Sequence, residues 1–482
     1  MSARSRELIG LIPVSMLVSG GFAAVLLTRT EDVSDATATY GLVFLALCVF
    51  AHLFIRARLP DADPYLFPLT ALLAAFGLVV IYRIDAELAR EQAQWFVIGL
   101  VFFCATIVFL RDHHLLERYR YTIAAAGIAL LVMPRLPGIG SQVNGAFLAV
   151  KIGSIQFQPA EFAKIAIIVF LASYLRDTGD VLVKARLRPL PFQNQLLLFG
   201  VPLAAVVLLV PALDLEPAKA VLLGVFTISF VAVIRERPSL KHFGPLLLIW
   251  GLAMLMLLFI RDLGSSLMFF GGFLALLYVA TARLSLVGVG ATMFLGGATF
   301  FANSVSHVQE RVDIWLDPFA RTVVDNEGYQ IAQSVTAQAY GGIFGEGFGR
   351  SLLETPDGTK ILPAAHTDLI YSVIANELGL FGAAGLILAY LMFAARGFKT
   401  ALLASDGFSK LLAAGLTAVL ALQVFVIVGG VTRVIPLTGV TLPFVSYGGS
   451  SIVANMVLLA LLLVVSDSAR ADRTRMGQGG LV

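Results

Sequence analysis

Apolar runs of about 20 residues recur along this 482-residue chain, and nothing else in the sequence constrains its fold as strongly. A bilayer core roughly 30 Å thick is crossed by about 20 helical residues. Counting runs of that length gives about fourteen spans. They lie near 8–28, 39–56, 65–83, 93–110, 119–134, 160–175, 191–211, 215–234, 243–260, 263–281, 285–303, 367–394, 409–430 and 447–466. Strands of a membrane barrel would alternate apolar and polar residues, and these runs do not. The expected fold class is therefore all-α, a polytopic transmembrane helix bundle. Charged residues are 13% of the chain, against about 25% in a soluble domain. That deficit excludes a soluble enzyme, a disordered chain and a disulfide scaffold. The net charge of +3 leaves no nucleic-acid footprint. Cys48 and Cys104 both sit inside apolar runs.

Basic residues set the expected orientation. With Arg4 and Arg6 in the cytoplasm, about 21 of the 34 Lys and Arg residues fall on the inner side. The even span count returns the C-terminus to the cytoplasm as well. The first run contains Pro13 and lacks a small-residue cleavage site, so it reads as a retained helix. Two outer segments stand out, Pro134–Gln158 and the long stretch from about Asn303 to Thr367. The second is rich in Gly, aromatic and apolar residues, which suits a packed lid better than a tether.

Ionisable groups at the ends of membrane helices are costly, and four polar groups gather on the outer side. In Gln158-Pro-Ala-Glu161-Phe-Ala-Lys164, Glu161 and Lys164 share a helix face. They read either as a helix-start ion pair or as a charged pair facing an anionic substrate. In Arg261-Asp262-Leu-Gly-Ser-Ser266, Asp262 reads as an N-cap or as a partner of a substrate phosphate. In Leu362-Pro-Ala-Ala-His366-Thr-Asp368, followed by Glu377, capping competes with a general base at the membrane boundary. The fourth group runs from Val431 through Arg433, Pro436, Pro443 and Ser446 to Ser450 and Ser451. Broken backbone at membrane depth is tolerated only where protein buries it or it lines a wet cavity. No GxxxxGK[ST], HExxH, CxxC pair or GxSxG is present, so neither ATP nor a motif-held metal is indicated.

Several motifs occur in an order that resembles the SEDS family (shape, elongation, division and sporulation). They are QPAEFAK, RDLGSS, GYQIAQS with GGIFGEGFG, LPAAHTDLIY with NELG, and PLTGVTLPFVSYGGSS. The Arg433-Val-Ile-Pro form looks more like the RodA branch than the FtsW branch. The resemblance implies a ten-helix core plus about four extra spans. One extra pair falls within residues 1–60 and another near 190–235; the core domain covers 61–470, its outer loop 304–366, and the tail 471–482.

The resemblance also implies an activity, polymerisation of lipid II (the undecaprenyl-pyrophosphate-linked disaccharide peptide) into peptidoglycan strands. The reaction would occur on the outer face of a bacterial cytoplasmic membrane, beside a class B penicillin-binding protein. Asp368, carried over from the His-Thr-Asp motif, becomes the catalytic residue. It would take the proton from the acceptor 4-hydroxyl while the α-linked donor inverts to a β-1,4 bond. Lys164, Lys151, Arg261 and Arg433, or a divalent cation (Mg²⁺ or Mn²⁺), would neutralise the leaving diphosphate. Glu161, Asp262, His366, Ser446 and Ser450 are further expected substrate contacts. Three positions depart from the family pattern: Ala149 replaces a Trp, Phe147 a basic residue, and Asn376 the first Glu of EELG. Two other readings compete, a lipid II flippase and a non-enzymatic scaffold of the wall-synthesis complex.

Overall fold

The computed structural model describes residues 3–29, 35–143, 146–153, 155–184, 262–304, 306–320, 328–351 and 361–479. Its helices are α1 (Ala3–Arg29), α2 (Asp35–Arg58), α3 (Leu66–Ile84), α4 (Ala86–Phe109), α5 (His114–Arg118), α6 (Arg120–Val132) and α7 (Pro159–Lys184). The chain continues through α8 (Leu263–Thr281), α9 (Leu284–Ser304), α10 (Ser306–Leu316), α11 (Tyr329–Gly341), α12 (Ile370–Leu403), α13 (Gly407–Val431) and α14 (Gly449–Gly479). Among the described residues, eight helices are long and apolar enough to cross a membrane. The chain is an all-α, multi-pass membrane protein. Eleven of the expected spans fall on described residues and each is helical. The runs at 191–211, 215–234 and 243–260 lie outside the described residues.

Helix bounds move where local chemistry outweighs hydropathy. α4 begins at Ala86, seven residues ahead of the expected start at 93, because the Asp85 side chain caps it. Its carboxylate accepts from Glu87 N at 2.8 Å and Leu88 N at 3.2 Å. α14 runs on to Gly479, since its helical bonding continues past the apolar run. α12 breaks at Gly379, whose φ of 64° interrupts the helix. The outer segment 134–158, which stood out in the sequence, carries a small antiparallel sheet. Its strands are β1 (Gly140–Val143), β2 (Ala146–Ile152) and β3 (Ile155–Phe157), in the order β1-β2-β3. Ser141 pairs with Ala149 and Lys151 with Gln156. Val150, β-branched and buried, favours this pairing.

α13 and α14 form the middle of the bundle, with 78% and 83% of their apolar windows buried in protein, against 28% and 33% for α1 and α2. The first two helices therefore sit on the periphery. They are held at the end of the bundle that carries the N-terminus of α1. There Arg4 pairs with Glu7 and donates to Ala62 O, and His52 Nδ1 lies 3.0 Å from Glu7 Oε1. Beside them, Asp63 takes both Arg396 of α12 and Arg470 of α14. Buried charges are tolerated because each finds an opposite partner. Nearer the other end, the pair and α3–α4 enclose an apolar cavity of about 260 Å³ lined by Phe22, Phe44, Leu78, Tyr82 and Phe96.

Candidate active site

Among the described residues of the long outer segment, 328–351 pack against the bundle. The glycine-rich stretch after α11 docks backbone-to-backbone against the break in α12. Glu346 N donates to Asn376 O at 3.0 Å and Gly347 N to Glu377 O at 3.1 Å; Leu380 N and Phe381 N donate back to Gly342 O and Ile343 O. The approach is so close that a Cβ on Gly345 would lie 2.2 Å from Glu377 O, and Gly345 itself has φ +84°. The Glu377 carboxylate accepts from Gly349 N at 3.0 Å and faces Arg83 of α3 at 3.4 Å. Arg83 in turn donates to Gly349 O and Ser351 O. Glu377 is thus the anchor of the outer loop. Asn376, the residue that replaces a glutamate, donates to Ala337 O at 2.7 Å and ties α11 to α12.

This anchored loop frames the turn that carries Asp368. Thr367 N and Leu369 N both donate to Ala364 O, and Ala364 sits at φ 53°. A second support comes from the re-entrant segment 432–448 between α13 and α14. Ser446 Oγ donates to Thr367 O at 2.7 Å and accepts from Leu442 N at 2.9 Å. Tyr447 N donates to His366 O at 2.8 Å, and the two rings meet edge-on at 5.7 Å. Gln92 of α4 holds the segment from beneath, donating to Ser446 O at 3.0 Å and accepting from Gly448 N at 3.1 Å. Ala364, Arg433 and Phe444 all occupy the left-handed region. Strain of this kind, about 1–3 kcal/mol per residue, persists only where surroundings over-determine the backbone.

Asp262 and Asp368 have different fates. Asp262 is the N-cap of α8, accepting from Ser265 N at 2.9 Å and Ser265 Oγ at 2.5 Å. Its capping role is fulfilled. Asp368 caps nothing, because α12 starts without a side-chain cap. Its carboxylate lies beside Gly439, half-buried, two residues ahead of the membrane-crossing helix. Burial pushes it up to about 6, opposed by the charge of Arg311 and a hydrogen bond from Thr367. Arg311, on α10, bears on Asp262 as well and anchors itself by donating to Leu437 O at 2.7 Å. A carboxylate raised to about 6 on a braced turn, within electrostatic reach of Arg311, can accept a proton near neutral pH.

The other expected contacts are distributed as follows. Lys164 is enclosed, 1% exposed. Its ammonium donates to Glu161 Oε2 at 2.5 Å, Gln423 Oε1 at 2.8 Å and Asn455 Oδ1 at 3.1 Å. Three acceptors occupy three donors, so the expectation that Lys164 faces an anionic substrate is corrected to a buried hub joining α7, α13 and α14. Arg433 Nη2 donates to Trp315 O and Leu316 O at 3.0 Å each, closing the C-terminus of α10, while Trp315 Nε1 returns a bond to Arg433 O. Ser450 Oγ accepts from Gln158 N at 2.8 Å at the start of α7. Lys151 is exposed on β2, and Arg261 lies outside the described residues. Sequence reasoning passed over Arg311, Gln92, Gln423 and Asn455. Gln423 and Asn455 had a readable signal, an amide inside an apolar run; Gln92 and Arg311 had none, since each sits in an ordinary polar stretch. Among the described residues, no set of three His, Cys, Asp or Glu ligands converges near Asp368.

Residues 64–237 and 208–471 match the FtsW/RodA/SpoVE family model, described as cell cycle protein. The chain belongs to this family. It is 37% identical to peptidoglycan glycosyltransferase RodA of Mycobacterium bovis, over 98% of this chain and 92% of that protein. It is 27% identical to stage V sporulation protein E of Bacillus subtilis, over 85% and 98%. Its structure resembles a chain from a study titled structural coordination of polymerization and crosslinking by a peptidoglycan synthase complex, with a TM-score of 0.60 and 26% identity over 85% and 98%. Against the family pattern, Ala149 is buried on β2 and leaves no ring there. At Phe147 a basic group is present from another source, the Arg135 guanidinium, 3.9 Å above the ring centroid.

Proposed function

We propose that this chain, a peptidoglycan glycosyltransferase of the FtsW/RodA/SpoVE family, polymerises lipid II with Asp368 as its general base. The outer face of the bacterial cytoplasmic membrane is the site of reaction, and both termini lie in the cytoplasm. Asp368 takes the proton of the acceptor 4-hydroxyl. The freed oxygen forms a bond to donor C1, and the C1–O bond to the lipid diphosphate breaks, its electron pair leaving with the phosphate. Attack opposite the α-linked leaving group yields the β-1,4 product. One carboxylate suffices because the diphosphate departs as a stable anion and needs no proton, unlike the alkoxide in most glycoside hydrolysis. Arg311 is the cation best set to meet negative charge beside Asp368, and Lys151 is the exposed one on the neighbouring sheet. A divalent cation such as Mg²⁺ or Mn²⁺ would add to this neutralisation of the diphosphate, and no step above depends on it. The mycobacterial match over 98% of the chain favours the RodA-type role. A class B penicillin-binding protein is the partner that would cross-link the product.

One observation carries this reading: Asp368 is spared from capping, lies within electrostatic reach of Arg311, and sits on a turn braced by the re-entrant segment. Purified protein with fluorescent lipid II, run on a gel with and without divalent cation and the cognate transpeptidase, tests it. Wild type should give a polymer ladder, and D368A and D368N none, with all three eluting as folded protein. Polymer from D368A at the wild-type rate would refute the role. Translocation of lipid II without polymer would make the chain a flippase, and full function of D368A in cells would make it a scaffold.

A further inference from the structure

The end of the bundle opposite Asp368 carries a cluster that the glycosyltransferase chemistry does not use. α4 ends at Phe109, and the turn before α5 reads Asp112-His113-His114. Each of these three residues offers one ligand atom, and the three atoms lie within 4.8 Å of one another. His113 is 2% exposed. Its Nε2 shares a 2.5 Å hydrogen bond with Ser409 Oγ at the start of α13, and its ring stacks on Phe408 with planes 13° apart. The ring is therefore fixed in place. Its other nitrogen, Nδ1, is buried and has no hydrogen-bond partner. A buried nitrogen left this way costs about 1–3 kcal/mol, which a ligand for that atom would offset.

Acceptors surround the same point. The His113 and His114 ring centroids are 4.5 Å apart. His114 Nδ1 is 3.6 Å from Glu117 Oε2 and its Nε2 is 3.9 Å from Asp406 Oδ2, both beyond hydrogen-bond length. Asp112 Oδ1 already accepts from His114 N at 2.9 Å, which leaves its second oxygen for another partner. Two imidazoles with carboxylates suit a borderline cation such as Zn²⁺ better than Mg²⁺ or Ca²⁺. Ligand atoms around tetrahedral Zn²⁺ stand roughly 3.3 Å apart, so the exposed Asp112 and His114 side chains would draw in by up to about 1.5 Å on binding.

We propose that Asp112, His113 and His114 bind a divalent first-row cation of the Zn²⁺ type, with water in the fourth position. Ser409 holds the far nitrogen of His113, the arrangement that orients a metal-bound histidine. The bound ion lashes the α4–α5 turn to the N-terminus of α13 and strengthens the packing of that end; it takes no part in glycosyl transfer.

The test uses full-length, tag-free protein in detergent, stripped by a chelator and titrated with Zn²⁺ against a chromophoric indicator. Wild type should bind one equivalent. H114Q and D112N, which alter exposed residues, should bind at least about tenfold more weakly, with elution volume and polymerase activity unchanged. H113A also loses the Ser409 and Phe408 contacts that support the fold, so it serves only as a third variant. Co²⁺ in place of Zn²⁺ should give a visible absorption band in wild type that H114Q lacks. Zn²⁺ should raise the melting temperature of wild type and not that of H114Q. Binding by wild type no tighter than by H114Q, or only at millimolar Zn²⁺, would overturn the proposal.

Discussion

The buried Lys164 hub gives a stability test with a magnitude attached. K164M keeps most of the side-chain volume and removes only the ammonium. Glu161 would then be left 3% exposed without its counter-ion, and Gln423 and Asn455 would each lose a donor to their carbonyl oxygens. Breaking a buried ion pair from one side costs about 3–5 kcal/mol. The amides limit the further loss, because Gln423 Nε2 still donates to Thr441 O and Asn455 Nδ2 to Ser451 Oγ. The double variant E161Q/K164M removes both charges, and it should recover at least about 2 kcal/mol of the K164M loss as coupling. Unfolding in mixed micelles by rising dodecyl sulfate, followed by tryptophan fluorescence, measures K164M, E161Q and the double variant. A K164M loss below about 1 kcal/mol, or a double variant whose loss equals the sum of its singles, would refute the hub. A residue serving only to hold substrate would lower polymerisation and leave unfolding unchanged.

Other outcomes follow from the same geometry. Asp368 works as a base only when ionised, and its value is raised to about 6; below that pH it holds a proton, so kcat/KM should climb through pH 6 on the way up. A profile flat down to pH 4.5 would exclude it as the base. Arg311 lowers the Asp368 value, so R311A should move this acid limb to higher pH. It should also cost roughly 10²–10³ in rate by removing a charge facing the departing diphosphate; R311K should retain part of the shift. G345A forces a Cβ to 2.2 Å from Glu377 O at a φ of +84°, so it should open the 341–351 loop to limited proteolysis and lower the melting temperature.

Much of the site was legible before any coordinates. The His-Thr-Asp turn, the QPAEF start of α7, the Asp262 cap and the broken segment before α14 were all visible as polar residues interrupting apolar runs. What each did was not. Asp262 and Asp368 look alike as acids at helix starts, and only the positions of Ser265 and Arg311 separate a cap from a base. Lys164 looked like a substrate contact because its two amide acceptors lie 259 and 291 residues away in the chain. Arg433 likewise seemed available for phosphate until its guanidinium was found on the α10 carbonyls.

By itself, then, the sequence determined that the chain spans a membrane many times as helices, since the hydrocarbon core admits no unpaired backbone and a hydropathy run is a local property. It also determined which polar residues sit at the helix ends. Tertiary structure alone decided which of those charges neutralise one another and which remain for chemistry. Pairing depends on contacts between helices far apart in sequence, and no local pattern encodes the distance across a bundle.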